Sequence, residues 1–113
     1  MQHRKSVVWI GSARNDLLSF PEEARRKIGH QLIIVQNGGL PDDWKIFAAV
    51  GPGAMEIRVH VDGNQFRTLY VARFDEAIYV LHCFAKKEQR TATKDVDVAK
   101  QRYKLMNRLR SGG

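Results

Sequence analysis

Two arginines interrupt apolar segments whose alternation predicts a pair of β-strands. Arg58 lies within residues 55–61, where apolar and polar residues alternate, and Arg67 lies within residues 66–73. The Asp62-Gly63 dipeptide between the two segments is typical of a tight hairpin turn. A hairpin closed at this turn would place Arg58 and Arg67 close together on neighbouring strands.

The polar face of this hairpin has the chemistry of an anion-binding surface. Glu56, Arg58 and His60 share one face by the period of two, and Arg67 is predicted to lie beside them. A planar guanidinium can donate two hydrogen bonds to a phosphate. The alternative for either arginine is a cross-strand ion pair with Glu56, which would leave a satisfied surface without a ligand.

A lysine pair follows the next predicted strand directly. Residues 78–84 are almost entirely apolar, as expected for a central strand, and lead into Lys86 and Lys87, with Arg90 just beyond. Repulsion between adjacent ammonium groups favours the neutral amine of one of them. A neutral lysine could accept the proton of a ribose 2′-hydroxyl, while a charged neighbour stabilised the developing phosphorane. Two ordinary solvated lysines are the alternative.

The excess positive charge lies almost entirely in the last quarter of the chain. The formal net charge is +7; residues 1–85 hold ten Lys/Arg against nine Asp/Glu, and residues 86–113 hold nine against three. This asymmetry favours a polyanion partner, either a nucleic acid or an acidic protein, over a solvated basic helix. If the partner is RNA, the residues predicted to contact it are His60, Arg90, Lys94, Lys100, Lys104 and Arg108.

The remaining patterns predict an α+β domain over residues 1–113. Predicted helices cover residues 13–18, 20–36 and 93–109. Ser19 and Glu22 have the spacing of a capping box before the second helix, and Thr93 is the predicted cap of the third. Residues 110–113 are predicted to form a frayed tail. A first strand, residues 6–10, and the first two helices precede a mostly antiparallel sheet. The helices should cover one face of that sheet and leave the other open.

Composition narrows the function classes further. The single cysteine, Cys83, allows neither a disulfide framework nor a zinc cluster, and a reducing cytoplasm is the expected compartment. The chain contains no apolar run long enough to cross a membrane. Paired carboxylates, a phosphate-binding glycine loop, a nucleophile elbow and metal-ligand spacing are absent, so we expect no cofactor and no metal.

A series of short motifs resembles one known family. The motifs are Ser12-Ala-Arg-Asn-Asp-Leu17, Phe20-Pro-Glu-Glu23, Gly29-His-Gln-Leu32, Asp43-Trp-Lys45, Val50-Gly-Pro-Gly53, Glu56-Ile-Arg58, Phe66-Arg-Thr-Leu-Tyr70, Val80-Leu-His-Cys-Phe84 with Lys86-Lys87, and Ala99-Lys-Gln-Arg-Tyr103. Together they resemble the phage-related HigB-like toxins of the RelE/ParE superfamily, over residues 5–109.

The resemblance implies the toxin of a type II toxin-antitoxin system with a RelE-like fold. Such a toxin cleaves mRNA, usually on the translating ribosome and without a metal, and is neutralised by a small helix-turn-helix antitoxin. By the same resemblance Arg58, Arg67 and Lys87 would orient the phosphate and stabilise the transition state. Lys86 and His82 are further catalytic candidates. Tyr103, the C-terminal candidate for proton transfer, lies in an apolar helical stripe that favours a core position.

Two other functions remain open at this stage. A ParE-like toxin on the same fold inhibits DNA gyrase as a non-enzymatic ligand, and a decayed prophage module would bind only its antitoxin. The cations Arg58, Arg67 and Lys87 favour mRNA cleavage, because inhibition of gyrase requires no phosphate-cleaving set.

Overall fold

The computed structural model of the chain describes residues 4–112. Five strands and three helices follow one another as β1 (Ser6–Trp9), α1 (Ala13–Leu18), α2 (Glu22–Gln36), β2 (Trp44–Ile46), β3 (Ala54–Val61), β4 (Asn64–Val71), β5 (Ala77–Lys86) and α3 (Thr93–Ser111). The predicted α+β class is confirmed, with two helices before a mostly antiparallel sheet and one helix after it.

The sheet has the order β1-β5-β4-β3-β2. The short β1 runs parallel to β5, and every other neighbouring pair is antiparallel. Asp62 and Gly63 both have positive φ, 50° and 79°, which is the backbone that a two-residue hairpin turn requires. The turn fixes the β3–β4 register so that Arg58 lies directly opposite Arg67, and the predicted hairpin is confirmed.

Helices pack on both faces of the sheet. Buried residues of α1 and α2, among them Leu17 and Ile28, form one core with β3, β4 and β5. Ala99, Tyr103 and Met106 of α3 form a second core on the opposite face. The expectation that this second face stays open is therefore wrong for its larger part, because the apolar stripe of α3 needs a partner surface. The uncovered part lies near the N-terminal end of α3.

The helix ends differ from the predicted ones. Pro21 and Ala92 occupy the cap positions of α2 and α3, neither with a side-chain cap, so the capping box and the Thr93 cap are wrong. The frayed tail is also wrong for Arg110, since α3 continues to Ser111 and Arg110 donates to Glu76 at 2.6 Å. Gly113 lies outside the described residues.

A close approach of backbone to ring anchors α3. The Tyr103 hydroxyl donates to the Pro52 carbonyl, and a Cβ on Gly51 would lie 2.6 Å from Tyr103 Cζ. The Gly51-Pro52-Gly53 turn therefore fits the face of the aromatic ring, and the predicted core position of Tyr103 is confirmed. Within residues 4–112 no helix is long and apolar enough to cross a membrane.

Candidate active site

A cleft of about 330 Å³ opens where α3 leaves the sheet uncovered. Its lining includes Lys45, Glu56, Arg58, Lys86 and Arg90. The first three come from β2 and β3, Lys86 ends β5, and Arg90 belongs to the loop that leads into α3. Five ionisable side chains from distant parts of the chain, four of them cationic, thus meet in one place.

The strand register explains why these side chains share a face. Lys45 pairs with Glu56 across β2 and β3, and Gln65 pairs with Lys86 across β4 and β5. Residues paired across antiparallel strands point to the same side of the sheet, and so do residues two apart along one strand. Glu56, Arg58 and Lys86 consequently project to the side on which α3 lies.

Arg67 lies at the bottom of this region and has no exposed surface. Its guanidinium donates to the Phe66 carbonyl at 3.2 Å and to Gln65 Oε1 at 2.6 Å, and its Nε lies 3.6 Å from Glu56 Oε1. The sequence placed Arg67 beside Arg58, which is confirmed, but on an exposed face, which is wrong. A direct contact between Arg67 and a phosphate would require the covering side chains to move.

Glu56 is a buried carboxylate surrounded by cations. Its side chain is 3 % exposed, and Arg58 Nε and Arg67 Nε lie 3.8 and 3.6 Å from the same oxygen, Oε1. Burial raises the pKa of Glu56 above its ordinary value, against the opposing effect of Arg67, Arg58, Lys86 and Lys45. Burial likewise lowers the pKa of Arg67, although a guanidinium stays protonated in proteins.

Lys86 and Lys87 have different surroundings. Lys86 is partly buried, and its pKa is lowered by desolvation first and then by Arg67, with Glu56 acting in the opposite direction. The predicted cause, repulsion by Lys87, is replaced by burial and the buried arginine. Lys87 is exposed in an adjoining groove of about 580 Å³, which also includes Arg58 and Lys86. This groove extends the cationic surface towards the β3–β4 turn.

His82 does not line the cleft but belongs to a separate polar network. Its Nε2 lies 2.8 Å from Asp95 Oδ1, and its Nδ1 lies 3.4 Å from the guanidinium of Arg102. Arg102 also donates to the Leu81 carbonyl at 3.0 Å and to Ser12 Oγ at 2.7 Å. The network joins α1, β5 and α3, so the surroundings of His82 favour a positioning role over direct catalysis.

The predicted RNA-binding residues fall into three groups. Arg90 lines the cleft, and Lys94 lies in a neighbouring depression formed by residues 84–95. Lys100, Lys104 and Arg108 are exposed along α3 and line neither the cleft nor the adjoining groove. His60 is exposed and lines a depression of about 520 Å³ beside α2 that also includes Arg58. No group of three or more possible metal ligands occurs among residues 4–112.

The comparison with known families agrees with this architecture. The model for "Phage derived protein Gp49-like (DUF891)" matches residues 15–104, which is most of the chain. The chain belongs to the Gp49-like family. This family is part of the RelE/HigB-like toxin group, so membership is consistent with a toxin-antitoxin module and implies an antitoxin partner. A search of curated proteins gave no significant match.

Sequence patterns did not predict the place of three residues in the cleft. Lys45 and Phe47 line the cleft, although the sequence of residues 44–48 predicts only a short strand. For Glu56 the sequence predicts only a role as the ion-pair partner of the arginines. The available signal was its place between Lys45 and Arg58 on one polar face, which the β2–β3 register brings together.

Proposed function

We propose that this member of the Gp49-like family is the toxin of a type II toxin-antitoxin system and acts as an endoribonuclease on mRNA, with the ribosome as the site of cleavage. The supporting observation is the convergence of Arg58, Lys86 and Arg90 on one cleft, with Lys87 in the groove beside it. Phosphate recognition needs such a cluster, and a cluster with a buried floor excludes water from a reacting phosphate.

The reaction that this cleft would support is attack of a ribose 2′-oxygen on the adjacent phosphorus. Arg58 would hold a non-bridging phosphate oxygen, and Lys87 would add positive charge from the groove side. Preorganised cations stabilise the extra negative charge of the phosphorane, which is commonly the largest contribution to such catalysis. Arg67 would act indirectly, because its guanidinium has no exposed surface and its Nε lies 3.6 Å from Glu56 Oε1, where its charge attracts that carboxylate.

The test is to induce the protein and map the 5′ ends of cellular mRNA by primer extension. Growth arrest should coincide with new 5′ ends inside coding sequences. Lys87→Ala and Arg58→Ala should each reduce the growth arrest and the yield of new 5′ ends by about 10-fold or more. Both variants should still bind the antitoxin encoded by the neighbouring gene. Arg14→Ala is the charge-matched control, because Arg14 is exposed on α1, away from the cleft.

Two outcomes would contradict the proposal in different ways. Growth arrest with unchanged mRNA and accumulating gyrase–DNA complexes would indicate the gyrase-inhibiting function. Tight binding to the antitoxin without growth arrest or new 5′ ends would indicate a module that has lost its activity. In either case Lys87→Ala should behave like the wild type.

A further inference from the structure

Among residues 4–112, three buried polar atoms around the cleft have no hydrogen-bond partner. They are Glu56 Oε2, Arg58 Nε and Arg67 Nε. Burying a polar atom without a partner destabilises the fold, and more so for a charged group, so a folded protein rarely retains three such atoms together. Their clustering around one carboxylate indicates that a ligand supplies the missing partners.

The direction of the missing bonds restricts what that ligand is. Glu56 Oε2 is an acceptor and requires a donor, whereas Arg58 Nε is a donor and requires an acceptor. Both side chains line the same cleft, together with Lys86. A hydroxyl next to an oxyanion satisfies both sites at once. In RNA the ribose 2′-hydroxyl lies beside the 3′-phosphate, and in DNA this hydroxyl is absent.

A structural ion pair alone does not account for Glu56. Both arginine Nε atoms approach Oε1, at 3.6 and 3.8 Å, and neither makes a hydrogen bond to it. Arg67 has two other acceptors, the Phe66 carbonyl and Gln65 Oε1. The second carboxylate oxygen, Oε2, has no hydrogen-bond partner in the described part of the chain.

We propose that Glu56 is the general base of the RNA-cleaving reaction. Oε2 takes the proton of the 2′-hydroxyl as the 2′-oxygen bonds to phosphorus. The bond from phosphorus to the 5′-oxygen breaks, and that oxygen receives a proton from the Lys86 ammonium. The products are a 2′,3′-cyclic phosphate and a 5′-hydroxyl, and the lysine regains a proton from water as Glu56 releases one. This assignment rests on the function proposed above.

The electrostatic surroundings suit both roles. Desolvation raises the pKa of Glu56 towards the working range of a base, while the facing cations Arg58, Arg67, Lys86 and Lys45 keep it from rising further. Burial and Arg67 lower the pKa of Lys86, which makes its ammonium a better proton donor. The exposed side chains of Lys45 and Arg90 form the rim and have room to move aside as RNA enters.

The test is the pH dependence of single-turnover cleavage of ribosome-bound mRNA by purified protein. Glu56→Gln keeps the size of the side chain but cannot accept the proton. It should lower the cleavage rate at pH 7 by about 100-fold or more and abolish the rise of rate with pH on the acidic side. Its affinity for ribosome-bound mRNA that carries a 2′-deoxy nucleotide at the cleavage site should stay within about 3-fold of the wild type, which separates binding from proton transfer.

Each outcome has a distinct meaning. The assignment would be overturned if the cleavage rate of Glu56→Gln still rose with pH on the acidic side and its lower rate were explained by a lower melting temperature. The proposed nuclease function would not be affected by that result. A wild-type protein that does not cleave ribosome-bound mRNA would overturn both. If Glu56→Gln does not fold, Glu56→Asp decides. If Glu56 is the base, Glu56→Asp should lower the maximal cleavage rate and keep the rise of rate with pH on the acidic side. If Glu56 is only a counter-ion, Glu56→Asp should reach the wild-type maximal rate per folded molecule.

Discussion

Removing either partner of the buried Glu56–Arg67 pair should destabilise the protein more than removing both. The two side chains are 3 % and 0 % exposed, so neither charge can be solvated when the other is deleted. Breaking such a pair on one side typically costs about 3–5 kcal/mol. Arg58 lies 3.8 Å from Glu56 and remains as a counter-ion when Arg67 is lost, and the Glu56–Arg67 separation of 3.6 Å is long. We therefore expect a loss at the lower end of this range, about 3 kcal/mol, for Arg67→Met.

The full experiment is a double-mutant cycle with Glu56→Leu and Arg67→Met. Each single variant should lose about 3 kcal/mol from the free energy of unfolding, equivalent to a drop of about 12 °C in Tm for a chain of this length. The double variant places apolar side chains of similar size at both positions and should be more stable than either single one. Urea unfolding followed by Trp fluorescence and by far-ultraviolet circular dichroism gives the four free energies.

The pH dependence gives a second check on the same pair. The pKa of Glu56 is already raised in the folded protein, and loss of Arg67, the strongest opposing cation, raises it further. A group whose pKa is higher when folded binds more protons in the folded state, so its contribution to stability is lost as pH rises. The deficit of Arg67→Met should therefore grow as pH rises above about 4.3, the ordinary pKa of a glutamate in an unfolded chain. Additive losses in the cycle, or a deficit that shrinks with pH, would refute the coupling.

Two further predictions concern α3 and its anchors. Gly51→Ala should cost about 1–3 kcal/mol of unfolding free energy in urea titrations, because the added Cβ would lie 2.6 Å from Tyr103 Cζ. Gly29→Ala is the matched control and should raise the free energy of unfolding by about 0.5–1 kcal/mol, because open space surrounds Gly29 within α2. An equal loss of stability in both variants would contradict the steric argument. Arg110 and Tyr79 lower the pKa of Glu76 to about 2, so this carboxylate stabilises the fold above its unfolded pKa and loses that effect as pH falls towards 2. Acid unfolding of Glu76→Gln should show a weaker dependence on pH between 4.5 and 2 than the wild type, and identical acid titrations would contradict the assignment.

Local patterns were sufficient for the strands and the hairpin. The alternation of apolar and polar residues predicted β3. The Asp62-Gly63 turn predicted the β3–β4 register, in which Arg58 lies opposite Arg67. The depth of Arg67 was not predictable in the same way. Alternation tells which face a side chain occupies, whereas its exposure depends on α3 and on residues 87–92, whose packing is a long-range property.

Two other side chains have partners that local sequence patterns did not indicate. His82 reads as an isolated histidine in a strand, yet its partners Asp95 and Arg102 come from α3. Arg110 reads as part of a frayed end, yet Glu76, in the connection between β4 and β5, holds it. Contacts between residues 13 or more positions apart carry no local periodic signal, so sequence patterns could indicate the charges but not their partners.

The cleft divides its side chains between two kinds of support. Glu56, Arg58 and Lys86 lie on strands whose register is fixed by pairing with β4, whereas Arg90 lies on the loop before α3. Under the proposed function, substitutions along residues 88–92 would change which nucleotides enter the cleft and would leave the strand residues at its floor in place. Under that function, related proteins could differ in the RNA that they bind through changes at residues 88–92, while the strand register keeps Glu56, Arg58 and Lys86 in place.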